Sequence, residues 1–199
     1  RKACAVQVDV TSEESVEQAM AEAAEKMGGI DLLVNNAGVL KSKFITEFPK
    51  ADWDFVLGVN LTGAFLCIKH ATKHILNAPT PGSMVVIGSR SGKRGGLWNH
   101  AYCASKFGVI CLVQSVALDL APHGIRIHCI CPGNALDTPL RVSLAKQYSV
   151  KHNVTSEQVL DRYRNRVPLV LQFDLPDCSY LTSFVPSDDP AFLSARAVI

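Results

Sequence analysis

The sequence predicts an α/β protein built on a doubly wound parallel sheet, and three observations predict it. Short apolar runs suited to strands alternate with longer stretches whose apolar residues recur at helical spacing. The strand-like runs end in small or polar turns, Asn35-Asn36-Ala37-Gly38, Gly88-Ser89 and Pro132-Gly133. No repeat, low-complexity tract or interdomain linker interrupts the pattern. Strands that alternate with helices imply βαβ units, and therefore a parallel sheet with helices on both faces. The chain reads as a single domain.

Each element has its own signal. Val6, Val8 and Val10 alternate with Gln7 and Asp9, which predicts a strand. Thr11 offers an N-cap with Glu14 at capping-box spacing, and Val16, Ala19, Met20, Ala23 and Met27 form one apolar helical face. Gly28-Gly29 ends that helix. Ile30 to Val34 is a strand, and a helix is predicted from about Lys50 to Leu76, broken by Pro79-Thr80-Pro81-Gly82. Met84 to Ile87 is a strand, Ala101 to Leu120 a helix, and Ile125 to Ile130 a strand after the turn Pro122-His123-Gly124. Thr155 with Gln158 starts a helix over Ser156 to Arg166, which Pro168 ends. Asp174-Leu175-Pro176-Asp177 starts a last helix, closed by Pro186. Ligands of such sheets bind at the carboxyl ends of the strands, so the residues after Val34, Ile87 and Ile130 should converge on one crevice.

Composition narrows the function classes. The 199 residues carry 20 Lys+Arg against 18 Asp+Glu, with 48% apolar residues, 13 Gly and 10 Pro. Such a balance excludes a disordered chain, a collagen-like repeat and a polyanion-coating protein, so no nucleic-acid partner is expected. No uninterrupted apolar run reaches the roughly 18 residues of a membrane span, and Arg1 to Val6 lacks a signal-peptide core, so no membrane partner is expected. The seven cysteines form no Cys-x-x-Cys and lie mostly in apolar runs, as small buried thiols of a cytoplasmic protein do. Cys129 and Cys131 share a strand face but lack further metal ligands nearby. His70 and His74 stand at i, i+4 without the glutamate of His-Glu-x-x-His and read as solvated helix residues; no metal is expected.

The residues suited to chemistry cluster at strand ends. Small residues in Asn35-Asn36-Ala37-Gly38 let backbone approach a flat ligand. Ser89 stands thirteen residues before Tyr102, and Tyr102 four before Lys106. On one helix that spacing sets phenol and ammonium one above the other. A nearby cation favours the phenolate, pulling a tyrosine down from its usual pKa of about 10. Such a tyrosine can exchange a proton with an alcohol or carbonyl oxygen that a serine hydroxyl holds in place. By itself, a Tyr-x-x-x-Lys pair is an ordinary surface pair.

Taken in order, Asn35-Asn36-Ala37-Gly38, Asn60, Ser89, Tyr102-Cys103-Ala104-Ser105-Lys106 and Pro132-Gly133 resemble the short-chain dehydrogenase/reductase family from about Val6 to Leu140. The resemblance implies a Rossmann-like fold and an oxidoreductase acting on a CH–OH group with NAD, NADP remaining open. It makes Tyr102 the general acid/base, while Lys106 tunes it and bonds the nicotinamide ribose. Ser89 then orients the reacting oxygen and Asn60 holds a proton-relaying water. Asn36, Ala37 and Gly38 line the adenosine side of the cofactor, with Asp9 and Val10 near the adenine and Pro132-Gly133 against the nicotinamide. Homotetramers or homodimers are implied, through the tyrosine helix and the long helix before it.

One residue more than the usual family spacing separates Pro132-Gly133 from Thr138-Pro139, and a polar stretch from about Leu140 to Arg166 follows. With Ser89-Arg90-Ser91-Gly92-Lys93, these features are similar to the sorbitol-6-phosphate 2-dehydrogenase branch of the family. That implies a polyol or sugar phosphate as the small-molecule partner, sorbitol 6-phosphate going to fructose 6-phosphate, beneath a lid at about 140–168. A polyol without phosphate is the alternative. Ser91, Lys93, Asn134 and Arg141 are expected at the substrate. Lys93 and Arg94 lie nearest the expected crevice, whereas Arg162, Arg164 and Arg166 read as a solvated face balanced by Glu157 and Asp161. Trp98, Asn99 and His100 are placed to wall the pocket, Trp98 reading equally as an ordinary packing residue.

Against the family pattern, the sequence lacks the first βαβ unit with its Thr-Gly-x-x-x-Gly-x-Gly turn, where a helix N-terminus takes the pyrophosphate. Ser194-Ala195 stands where Thr-Gly usually precedes the last strand, so that strand is expected to be missing. The resulting expectation is an incomplete copy of a dehydrogenase that binds cofactor and turns over poorly. The alternative is a non-catalytic scaffold or interaction protein that has lost cofactor binding.

Overall fold

The computed structural model describes residues 3–79, 81–133, 138–165, 175–184, 187 and 197–198, without the side chains of 139–141, 175, 197 and 198. Among the described residues four parallel strands stand in chain order: β1 (Leu32–Asn35), β2 (Ser83–Ile87), β3 (Arg126–Ile130) and β4 (Ala197–Val198). Their register sets Asn35 beside Val86 and Ile87 beside Ile130, so the carboxyl ends finish level. The ladder continues past the strands, because Gly88 N–H donates to Ile130 O (2.7 Å) and Arg90 N–H to Pro132 O (3.0 Å). Met84, Val85 and Val86, like Ile127, Cys129 and Ile130, are buried in succession, as strands covered on both faces must be.

Seven helices flank the sheet among the described residues: α1 (Glu13–Met27), α2 (Lys50–Leu57), α3 (Gly63–Ile75), α4 (His100–Leu120), α5 (Pro139–His152), α6 (Ser156–Arg164) and α7 (Leu175–Phe184). The main core joins Val16 of α1, Leu66, Ala71 and Ile75 of α3, Val109 and Val113 of α4, and the inner residues of β2 and β3. Lys50–Ile75 and His100–His123 are apolar and long enough to pass as membrane spans by composition, yet both contribute residues to this core. A second, smaller core holds Leu144, Ala145 and Tyr148 of α5 with Val159 of α6.

Several expectations change. Residues 6–10 are not a strand, because among the described residues no strand pairs with them. Ser12, not Thr11, caps α1, accepting from Ser15 N–H; Thr11 instead donates its N–H and hydroxyl to Asp9 Oδ1 (2.9 and 2.7 Å). The helix expected over 50–76 is interrupted by a π-helical turn, Gly58–Thr62. Part of the stretch read only as polar is the helix α5. A last strand is present, since β4 pairs with Cys129 and Ile130. His70 is 2% exposed rather than solvated, with Nε2 3.1 Å from Glu13 Oε1 across the α1–α3 contact. The capping box of Thr155 and Gln158 forms as expected. Arg166, Pro168, Asp174, Pro186 and Ser194-Ala195 lie outside the described residues.

A one-turn 3-10 segment, Arg90–Gly92, packs the end of β2 against α4. A methyl at Gly92 would stand 2.5 Å from Lys106 O and 2.8 Å from Ile110 Cδ1, and the first of these is helix backbone that cannot swing aside. Gly92→Ala should therefore destabilise the fold by about 1–3 kcal/mol. Urea unfolding checks this, and an unchanged midpoint would contradict the close approach.

Candidate active site

The turn after β1 is held by a buried amide. Asn60, 2% exposed on the π-helical turn, accepts from Val39 N–H (2.8 Å) and donates to Val39 O (2.9 Å) and Ser105 Oγ (3.0 Å). Ser105 in turn donates to Tyr102 O (2.8 Å). A regular helix would rotate Asn60 away from this loop, and π-turns are frequent where a helix must aim one side chain. Asn35 donates to Ala64 O (3.1 Å), leaving Asn36, Ala37 and Gly38 exposed at the crevice. A Cβ at Gly38 would lie 3.7 Å from Asn60 Oδ1 and 3.8 Å from Lys106 Nζ, so loop, amide and ammonium meet at one point.

Lys106 is 5% exposed, and its Nζ donates to Ile87 O (2.7 Å) at the end of β2. Burial pushes its pKa down from 10.5 to about 8, the neighbouring Cys129 and Cys131 thiols acting the other way. Those thiols share a strand face, as their spacing predicts, with Sγ atoms 3.8 Å apart. The bond from Cys129 holds the Cys131 thiol below its usual range, helped by Ser89 N–H and by Lys93 and Lys106. The Lys106 ammonium stands 5.9 Å from the Tyr102 ring centroid, as the four-residue spacing requires. Ser89 Oγ accepts from Ser91 N–H (3.1 Å), which fixes it at the strand end.

Beside these groups lies a cavity of about 250 Å³, lined by Ser89, Ser91 and Gly133 at the strand ends and by Asn99 at the start of α4. Tyr148, His152, Val159, Arg162 and Tyr163 close it from α5 and α6, and Arg90 and Arg94 line it too. Ser91 lines the cavity, whereas Lys93 is not among its described lining residues. Arg162 is a correction, because it faces the cavity while Arg164 pairs with Asp161 and Glu157. Only packing decides that Arg162 rather than Arg164 turns inward. Asn134 and the Arg141 side chain lie outside the description. Asp9 is exposed in the turn before α1, its carboxyl held below the ordinary range by the Thr11 hydroxyl and N–H. Val10 rests on Gly63, where a Cβ would come within 3.0 Å of it. The structure therefore brings Asn60, Ser89, Tyr102, Lys106, Gly38 and Gly133 to one end of the sheet.

Sequence reasoning missed the aromatic bracket around Trp98. That residue has φ +58°, stacks on His152 (centroids 5.1 Å apart) and lies under Lys151 Nζ at 4.5 Å. Tyr148 hydroxyl donates to Leu97 O (2.8 Å) beside it. A left-handed tryptophan leaves no sequence signal, because any L side chain is disfavoured there and only tertiary contacts hold it.

The profile of the short chain dehydrogenase family matches residues 1–149. The chain belongs to the short-chain dehydrogenase/reductase family. It is 37% identical to sorbitol-6-phosphate 2-dehydrogenase of Escherichia coli over 96% of this chain and 73% of that enzyme. It is 34% identical to meso-2,3-butanediol dehydrogenase of Serratia marcescens, over 99% and 73%. The crystal structure of sorbitol-6-phosphate 2-dehydrogenase SrlD from Erwinia amylovora superposes with a TM-score of 0.93 at 40% identity, covering 97% of this chain and 75% of that one. Members of the family are oxidoreductases that act on CH–OH groups with NAD or NADP.

The buried lysine has a measurable signature. Its folded pKa, about 8, lies below its unfolded value of 10.5, so the unfolded chain binds the extra proton between those pH values. That group's contribution to stability therefore rises with pH from about 8 to 10.5, and its cost is fully present below 8. Lys106→Met should remove this part of the slope, a difference of up to roughly 3 kcal/mol across the window. Urea unfolding of both proteins at a series of pH values checks it; parallel curves would refute it.

Proposed function

We propose that this short-chain dehydrogenase interconverts a phosphorylated polyol and its ketone, sorbitol 6-phosphate and fructose 6-phosphate, with NAD or NADP. The observation that carries the proposal is the charge of the cavity. Arg90, Arg94 and Arg162 line it together with His152, and no Asp or Glu is among its described lining residues. The Arg94 and Arg162 guanidinium groups beside about 250 Å³ of space suit an anion, and the planar fork of arginine matches phosphate oxygens. The likeness to two sorbitol-6-phosphate 2-dehydrogenases supports the same substrate, and the α5–α6 pair serves as its lid.

The residues present suit the nicotinamide half of the cofactor. An ammonium carries three donors, and Ile87 O takes one from Lys106, so the others can serve a ribose hydroxyl beside Gly38. Gly133 has open space where a Cβ would be, and Pro132-Gly133 can therefore lie flat against a ring. When bound, the nicotinamide accepts or supplies the hydride. Tyr102 takes the proton from the alcohol oxygen during oxidation and returns it during reduction. The Lys106 ammonium favours the phenolate that this exchange needs. Ser89 accepts from Ser91 N–H and keeps its own O–H to hold the reacting oxygen in line. The Asn60 side chain, taken up by Val39 and Ser105, acts by pinning the Gly38 loop against Lys106.

Tyr102→Phe should bring NAD-linked turnover of sorbitol 6-phosphate down by at least about 10²-fold, with an unchanged melting temperature. Near-normal turnover in that variant would remove the role given to Tyr102. Arg162→Ala should weaken binding of sorbitol 6-phosphate by about ten- to a hundredfold while leaving that of unphosphorylated sorbitol alone. Calorimetric titration with both ligands decides it; equal losses for the two would show that the arginines do not read a phosphate.

A further inference from the structure

Asn99 occupies the N-cap position of α4 without capping it. Asparagine is among the best N-cap residues because its side-chain oxygen can accept from a backbone N–H of the first turn. Here the backbone is at φ −114°, ψ 30°, and the side chain makes no cap hydrogen bond. It turns instead into the cavity wall, where the residue is 8% exposed and its Oδ1 is buried with no hydrogen-bond partner. Buried polar atoms are nearly always paired, so an orphaned acceptor on a residue of the cavity wall marks a place where a donor can arrive. Asn99 stands three residues before Tyr102 and lines the same cavity as Ser89, Arg94, Arg162 and His152.

The chemistry of the missing donor follows from what surrounds it. A phosphate dianion offers acceptors only, and it belongs with the arginines. A hydroxyl both donates and accepts, so it satisfies the Asn99 amide whichever end faces the ligand. We infer that Asn99 is a substrate-binding residue whose amide hydrogen-bonds a non-reacting hydroxyl of the polyol near the carbon that is oxidised. The inference rests on the polyol phosphate reading above and gives it a second contact point. One cavity then measures the substrate twice, by its phosphate at the guanidinium groups and by its hydroxyl at Asn99. A neutral amide suits this position where a carboxylate would repel the phosphate.

The test uses the 199-residue chain and calorimetric titration with sorbitol 6-phosphate and with inorganic phosphate. Asn99→Ala should bind sorbitol 6-phosphate about five- to tenfold more weakly and bind inorganic phosphate as the wild type does. Asn99→Asp should weaken both. Because the side chain caps nothing, Asn99→Ala should also melt at the wild-type temperature. Unchanged binding of sorbitol 6-phosphate by Asn99→Ala overturns the hydroxyl contact while leaving the phosphate reading intact. A variant that melts early or fails to fold shows a structural role and overturns it as well. Failure of the wild type to bind either ligand overturns the polyol phosphate reading, and this inference with it.

Discussion

The arrangement of the site depends on one buried ammonium. Lys106 is drawn out of water into the angle between α4 and the end of β2, where Ile87 O accepts its hydrogen bond. Burial of a cation is unfavourable, and the depressed pKa records that cost. The surroundings are built to accept it. Two soft thiols lie beneath, Gly92 lets the strand end close on the helix, and the Gly38 turn comes up to the same nitrogen. Since Tyr102 is one turn earlier on α4, locating the ammonium also locates the phenol.

A second constraint shapes the opposite wall. The α5–α6 pair has its own small core, joined to the rest of the molecule through Trp98, Leu40 and the bond from Tyr148 to Leu97 O. The cavity therefore lies between two separately packed bodies rather than inside one. Its floor is set by strand register and its wall by aromatic contacts around a strained tryptophan. A Trp98 backbone in the left-handed region costs energy that the stacking with His152 and the Lys151 cation offset. That division lets Arg94, Asn99 and Arg162 come from different elements while lining the same space.

Much of this was legible in the residues. Met84–Ile87 and Ile125–Ile130 are runs of apolar side chains too short for helices, and they became β2 and β3 within a residue of their expected ends. The capping box at Thr155 is a local signal, and local signals survive folding. Less legible were features that depend on a neighbour. Val6 to Val10 alternates as a strand does, but pairing is a property of two segments. Thr11 looked like a cap until Asp9 competed for it. The π-turn at Gly58–Thr62 exists because Asn60 reaches Val39, twenty-one residues away in the chain.

The sequence by itself determined the chemistry and its order: a serine after one strand, a tyrosine and a lysine one turn apart, and small residues at three strand ends. The spacing of Tyr102 and Lys106 is a short-range relation, set by the pitch of a single helix. Tertiary structure alone decided which arginine of α6 faces the cavity, that Asn99 forgoes its cap, and that Lys106 is stripped of water. Each of those outcomes turns on what stands opposite a side chain, and burial, pairing and charge balance are all relations between elements distant in sequence.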